Sequence, residues 1–128
     1  MGVAHALRDA GYDTVVARAM PTATYLPGGD PEVVGGVPGV VDGMSRLLDP
    51  DAVGLDQPVE VPEPEALATA REFARRGLGI GPSSGLNIAA SRRLAERLGP
   101  GHHVGTILPD RMERYFSTAL FDDVAAEL

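Results

Sequence analysis

The sequence predicts an α/β fold in which a mainly parallel sheet of about four strands is flanked by helices. Three observations support this prediction. Short apolar or β-branched segments alternate with helical patterns along the chain, which is the order of successive βαβ units. In the regions 63–76 and 84–98, apolar and charged residues fall on opposite faces of a helix. A glycine- and serine-rich turn at 81–85 joins an apolar segment directly to the second of these helices, as open parallel sheets do at their strand ends.

The individual elements follow from local patterns and from the residues that end them. Strand candidates lie at 13–19, 57–61, 77–81 and 103–108. Helix candidates lie at 3–10, 43–48, 63–76, 84–98 and 110–117. Gly11 ends the first helix, because glycine readily adopts the left-handed backbone that closes one. If consecutive βαβ units form one sheet, the turns at 83–85 and 109–110 lie next to each other.

The length of 128 residues fits a single domain with a core of its own, spanning 1–128. Within it, residues 20–43 hold six glycines and four prolines and form a predicted loop. A loop of that length inside a compact domain is usually functional or disordered. The sequence therefore predicts a single α/β domain with one long candidate functional loop.

The acidic composition argues against several classes of function. The formal net charge is −7, whereas proteins that bind nucleic acid need a cationic surface. The chain has no cysteine, which excludes disulfides and thiolate metal sites and is consistent with a cytoplasmic protein. Its three histidines share no metal-ligand spacing, and no apolar run reaches the roughly 20 residues of a membrane span. We expect no nucleic-acid partner, no membrane contact and no metal site.

The segment 79–90, G-I-G-P-S-S-G-L-N-I-A-A, carries the strongest local signal. Glycines 79, 81 and 85 allow a flat or phosphorylated ligand to approach the backbone, and the serine hydroxyls stand where open α/β sheets bind ligands. A second interpretation is structural, because serine is a preferred helix N-cap and glycine in a tight turn relieves steric crowding. Taken alone, the segment does not decide between the two.

Together with a later segment, this turn resembles a known enzyme family. The matching motifs are S-S-G at 83–85, L-P-D at 108–110 and E-R-Y-F-S-T-A-L-F at 113–121. In this order and separation they resemble the C-terminal part of the pyridoxal-phosphate (PLP) dependent cysteine synthase and cystathionine β-synthase family. That family has the tryptophan-synthase-β fold, PLP fold type II. The resemblance extends loosely to 2–11, 42–56 and 63–76.

The resemblance implies a set of cofactor-binding residues: Ser83, Ser84, Gly85, Pro109 and Asp110. In such enzymes the first serine of the turn exchanges a hydrogen bond with the pyridine nitrogen of PLP, a role that falls to Ser83. Structural alternatives stay open for two of the others. Ser84 has the residue type of an N-cap, and Asp110 with Glu113 has the spacing of a capping box.

The resemblance also places a substrate-side loop within the glycine-rich region. It falls on Gly35, Gly36, Val37 and Gly39. Pro38 interrupts the family's usual pattern at this point, which leaves the substrate open. A loop without a ligand is the alternative interpretation of the same residues.

The chain has no lysine, and its 11 basic residues are all arginine. PLP enzymes of this type hold the cofactor through a lysine Schiff base, and arginine cannot replace it, because its guanidinium stays protonated. The resemblance therefore implies a partial domain, the C-terminal portion of such an enzyme, with no catalytic residue of its own. We expect no stable PLP binding and no activity from the chain alone.

The implied parent enzyme carries out β-elimination and replacement on an O-activated serine in amino-acid biosynthesis. Its expected partners are an amino-acid substrate and a complementing N-terminal half or a second copy of the chain. The alternative hypothesis is a non-catalytic α/β module that binds a small anionic ligand at 83–85 or a protein partner.

Overall fold

The computed structural model describes residues 2–22, 37, 56–118 and 120–121. Its elements, in chain order, are helix α1 (Gly2–Asp9), strands β1 (Ala17–Thr22) and β2 (Asp56–Pro62), helices α2 (Glu63–Arg75) and α3 (Pro82–Leu98), and a 3₁₀ helix at Met112–Tyr115. The predicted helix at 43–48 and most of the predicted loop at 20–43 lie outside the described residues. Where that loop can be compared, the structure differs, because β1 continues to Thr22.

Strands β1 and β2 pair in parallel, which confirms the predicted α/β class. Ala19 lies opposite Val59 and Pro21 opposite Val61, and the register is irregular between Ala17 and Ala19. β2 leads directly into α2, and α2 and α3 pack against the pair. The result is a parallel sheet with flanking helices.

The described residues contain fewer strands than the sequence predicts. The segment 77–81 forms only an isolated antiparallel bridge between Ile80 and Arg111, and 103–108 joins no ladder. The reason lies in the hydrogen-bond partners. Gly79 and Gly81 bond to residues 112 and 110, respectively, rather than to β1 or β2, so the segment 77–81 does not extend the parallel pair. A strand requires a neighbouring chain as well as β-forming residues.

Two buried clusters form the core around α2 and α3. One joins the strands to α3 and contains Val37, Val59, Val61, Ala66, Leu86, Ala89 and Ala90. The other, built from Leu67, Ala70, Ile80 and Leu120, lies between α2 and the region beyond residue 110. The helices approach each other closely at Gly85, because a side chain there would overlap the backbone oxygen of Ala66.

Helix α3 begins two residues before its predicted start. Gly81 is the N-cap and Pro82 the first helical residue, a position that suits proline because it has no backbone N–H to leave unpaired. Ser84 therefore lies inside the first turn, and the alternative that it caps the helix is wrong. Gly99 ends the helix with a positive φ of 78°.

Arginine–carboxylate pairs also join the two long helices. Arg92 donates from both terminal nitrogens to Glu72, at 3.1 and 3.3 Å, and this contact holds the pKa of Glu72 below its usual value. Arg93 pairs with Glu65 and donates to the carbonyl oxygen of Glu60 at 2.6 Å. These groups are solvent-accessible, so each pair contributes little stability.

Among the described residues, no helix has both the length and the apolar character needed to cross a membrane.

Candidate functional site

The predicted site lies where two turns meet, here called the Ser83 turn (residues 81–85) and the Asp110 turn (residues 109–112). The Gly81 amide donates to the carbonyl oxygen of Asp110 at 3.2 Å, and the Met112 amide donates to Gly79 at 3.3 Å. The Ser84 hydroxyl adds a longer bond of 3.4 Å to the same Asp110 oxygen. These contacts confirm the prediction that the turns are neighbours.

The two adjacent serines differ in burial and in hydrogen bonding. Ser84 is fully buried, and its hydroxyl is used in the bond to the Asp110 carbonyl. Ser83 is half-buried, and its hydroxyl makes no hydrogen bond within the part of the chain that the structure describes. Of the two hydroxyls, that of Ser83 is therefore the one free to bind a ligand.

Asp110 does not form the capping box considered from its spacing to Glu113. The 3₁₀ helix has no side-chain cap, and Glu113 pairs instead with Arg111 at 2.9 Å. The Tyr115 hydroxyl donates to Asp110 Oδ2, whereas Asp110 Oδ1 is buried and accepts no hydrogen bond from the described residues. The bond to Asp110, together with burial, raises the pKa of the Tyr115 phenol above its ordinary value.

The three glycines of the segment face other parts of the protein. A Cβ on Gly79 would lie 2.5 Å from Met112 Sδ, and one on Gly81 would overlap Asp110 Oδ1 and lie 2.7 Å from Tyr115 Cε2. At Gly85 the neighbour is the α2 backbone. The absence of a side chain thus makes room for protein atoms at all three positions, which favours the structural interpretation of these glycines over a ligand cradle.

The remaining predicted site residues fall in different places. Pro109 is exposed beside Asp110. Val37 is buried and packs with Val59 and Val61 in the core, so its side chain is not presented to solvent. Gly35, Gly36 and Gly39 lie outside the described residues. The predicted substrate-side loop therefore stays a prediction.

A cavity of about 650 Å³ lies apart from the two turns and was not anticipated from the sequence. Its walls come from α1, the segment 13–19, one face of α3 and the segment 102–106, and neither Ser83 nor Asp110 lines it. Two of its polar groups serve internal bonds, since Asn87 Nδ2 donates to the Ile107 carbonyl at 2.9 Å and Ser91 Oγ donates to Asn87 at 2.7 Å. No local sequence motif predicts the cavity, because segments that are distant in sequence form its walls.

Across the described ranges, no group of three potential metal ligands comes together.

Comparison with known proteins adds independent information. Over 67 residues, 52% of this chain, the sequence is 42% identical to cysteine synthase B of Campylobacter jejuni. Over 125 residues, 94% of the chain, it is 32% identical to a probable cysteine synthase of Bacillus subtilis. The chain is therefore similar to cysteine synthases over part of their length. A further relative is O-ureido-L-serine synthase of Streptomyces lavendulae, 37% identical over 69% of the chain. No protein-family model matches the sequence.

These matches cover only part of the relatives. The aligned regions amount to 22%, 39% and 25% of the three relatives' lengths, so this cysteine-synthase-like chain spans well under half of each. A hydrogen sulfide-producing enzyme, solved as a mutant with an α-aminoacrylate intermediate, has a similar structure with a TM-score of 0.62. The likeness covers 94% of this chain and 44% of that one at 20% identity, and it supports the fold alone.

Proposed function

We propose that the chain forms the C-terminal part of a PLP-dependent, cysteine-synthase-like enzyme, and that Ser83 contacts the pyridine nitrogen of the cofactor. The main support for the proposal is the difference in burial and hydrogen bonding between the two serines. Ser84 is buried and bonded to Asp110, while the Ser83 hydroxyl is accessible and has no partner among the described residues. One accessible neutral hydroxyl is what a pyridine nitrogen can use as a hydrogen-bond partner.

The surrounding residues fit a neutral contact of this kind. Asp110 is the nearest carboxylate in the two turns, but one of its oxygens accepts from Tyr115 and the other is buried. An oxygen that is already bonded and an oxygen that is buried are both poorly placed to hold a proton on the ring, whereas the Ser83 hydroxyl is accessible. When bound, PLP supplies the electron withdrawal that lets a leaving group depart from the β-carbon of an O-activated serine.

The chain lacks the group that would hold PLP covalently. None of its 128 residues is a lysine, and a guanidinium does not serve as an amine nucleophile. We therefore propose that the lysine, the phosphate-binding loop and the amino-acid substrate contacts of the complete enzyme include residues outside this sequence. The complementing partner would be an N-terminal half, with a second copy of the chain as the other possibility.

The small-anion alternative has less support. It requires an open backbone cradle at the Ser83 turn, yet the faces of Gly81 and Gly85 are filled by Asp110, Tyr115 and α2. The protein-partner alternative retains one supporting observation. Several large apolar side chains are exposed, among them Val15 at 44%, Ile107 at 70% and Phe116 at 63%.

A hybrid enzyme tests the proposal. The 128 residues replace the matching region of the Bacillus subtilis relative, which then supplies the rest of the fold and the lysine. In this hybrid, Ser83→Ala should lower the rate of cysteine formation from O-acetylserine and sulfide several-fold, because a hydrogen bond is worth about 0.5–1.5 kcal/mol net. It should also shift the absorption spectrum of the bound cofactor.

The matched control is Ser84→Ala, measured at equal cofactor content. Because Ser84 is bonded to the Asp110 carbonyl, its loss should lower stability and leave the cofactor spectrum unchanged. If both variants change the spectrum equally, or neither does, Ser83 is not the ring-nitrogen contact. The unmodified chain without the rest of the fold should form no cysteine.

A further inference from the structure

The Asp110–Tyr115 pair lies against the start of α3. The Tyr115 hydroxyl donates to Asp110 Oδ2, and both side chains touch Gly81. A methyl group on Gly81 would overlap Asp110 Oδ1 and come within 2.7 Å of the Tyr115 ring. The carboxylate and the ring therefore close one side of the Gly81 backbone.

Gly81 in turn sets the position of the first helical turn. Its carbonyl oxygen accepts from the amides of Ser84 and Gly85, each at 3.1 Å, and its own amide donates to Asp110. In sequence, Ser83 lies between Gly81, which accepts two of these bonds, and Ser84 and Gly85, which donate them. Any displacement of Gly81 therefore moves the Ser83 hydroxyl.

We infer that Asp110 and Tyr115 are positioning residues for Ser83, which they hold in place through Gly81. The inference rests on the proposed function of Ser83 as the ring-nitrogen contact. Because the phenol and the carboxylate are bonded to each other, we assign them no direct contact with the cofactor. Their role is to fix the direction in which the Ser83 hydroxyl points.

Amide hydrogen exchange in the full 128-residue chain tests the first step. Tyr115→Phe keeps the ring and removes only the hydroxyl, so the packing against Gly81 is retained. We expect exchange at the Ser84 and Gly85 amides to speed up about tenfold, the loss expected for a hydrogen bond to a charged group. Amides near the C-terminal end of α3 should change less than about twofold. Equal acceleration at both ends of α3 would indicate general destabilisation and overturn the inference.

Three further variants separate the bond from the side chains that make it. Asp110→Asn keeps an acceptor oxygen for Tyr115 but removes the charge, so exchange should speed up less than in Tyr115→Phe. Asp110→Ala removes both the bond and the carboxylate that packs on Gly81, so exchange should speed up at least as much as in Tyr115→Phe. Adding Tyr115→Phe to Asp110→Ala should have little further effect, since the bond is already lost. Glu113→Gln is the matched control, because Glu113 pairs with exposed Arg111 in the same segment and supplies none of the three atoms nearest to a Cβ on Gly81.

The cofactor spectrum of the hybrid enzyme tests the second step. Tyr115→Phe should shift the spectrum in the same direction as Ser83→Ala but less far, while Glu113→Gln leaves it unchanged. If Ser83→Ala shifts the spectrum and Tyr115→Phe does not, the positioning role is wrong and the proposed function stands. If Ser83→Ala has no effect on the spectrum, the proposed function fails, and the link from the pair to the cofactor fails with it.

Discussion

The sequence predicts a strand at both 77–81 and 103–108, yet the two segments differ in burial and in their contacts in the folded chain. In the first, Ile80 is 3% exposed and bridges to Arg111, and Gly81 is enclosed by the Asp110 turn. In the second, Ile107 is 70% exposed, and the side-chain bond that the described residues show is that of Asn87 to the Ile107 carbonyl. Residue type favours an extended backbone in both, but burial depends on what lies beside the segment.

The largest expected effect comes from adding one methyl group on each side of this comparison. Gly81→Ala places its Cβ against Asp110 Oδ1 and 2.7 Å from Tyr115 Cε2, so the Asp110–Tyr115 pair must shift. We expect a loss of about 3 kcal/mol in the free energy of unfolding. The change can be measured by urea denaturation followed by circular dichroism.

Gly105→Ala is the matched substitution in the exposed segment. Among the described residues, no atom lies within 4 Å of its added Cβ, and Gly105 is not one of the glycines with positive φ. Its effect should stay within about 0.5 kcal/mol. Comparable losses from the two variants would show that the segments do not differ in packing.

A smaller effect is expected from the titration of Tyr115. Its pKa is raised in the folded state by the bond to Asp110, so the stabilisation is fully present below the unfolded value of about 10 and is lost as pH rises through the folded value. Solvent reaches part of the phenol, which limits the contribution to about 1 kcal/mol.

Phenolate absorbance, recorded against pH, should contain one component that titrates above the ordinary tyrosine pKa of about 10. Tyr115→Phe should remove this late component and the associated loss of stability in alkali. A late component that persists in the variant would belong to another tyrosine and contradict the assignment.

The smallest effect should come from Asn87→Ala, which releases the exposed segment from α3. The bond is solvent-exposed, so global stability should fall by about 0.5 kcal/mol. Proteolysis within 102–108 should nevertheless become several times faster, because the segment loses a tether. Ser91→Ala is the control, since the Ser91 hydroxyl bonds only back to Asn87 within the helix. Unchanged cleavage after Asn87→Ala would mean that other contacts hold the segment.

The sequence was sufficient wherever local pattern determines structure. The second strand and the helix after it were predicted at 57–61 and 63–76 and occur at Asp56–Pro62 and Glu63–Arg75. Their apolar spacing and charge order are local properties. The two turns are neighbours as predicted, but through an antiparallel bridge between Ile80 and Arg111 and not through the consecutive parallel strands from which the prediction was derived.

The sequence failed where two interactions with similar spacing compete. Asp110 and Glu113 have the separation of a capping box, but the Asp110 carboxylate bonds instead to Tyr115, two residues further along. Which partner wins depends on the backbone geometry of the short 3₁₀ helix, and no periodicity reveals it. In the same way, the strand candidates at 77–81 and 103–108 could not show which chain would lie beside them.

The parallel pairing of β1 with β2 has a consequence for the order of folding. Residues 23–55 separate the two strands in sequence, whereas α2 and α3 are separated only by residues 76–81. Bringing distant strands together carries the larger loop-closure entropy, and parallel pairing is intrinsically slow. Association of α2 with α3 can therefore come first and provide the surface on which the strands assemble. The helix pair, rather than the sheet, would then be the folding nucleus of this chain.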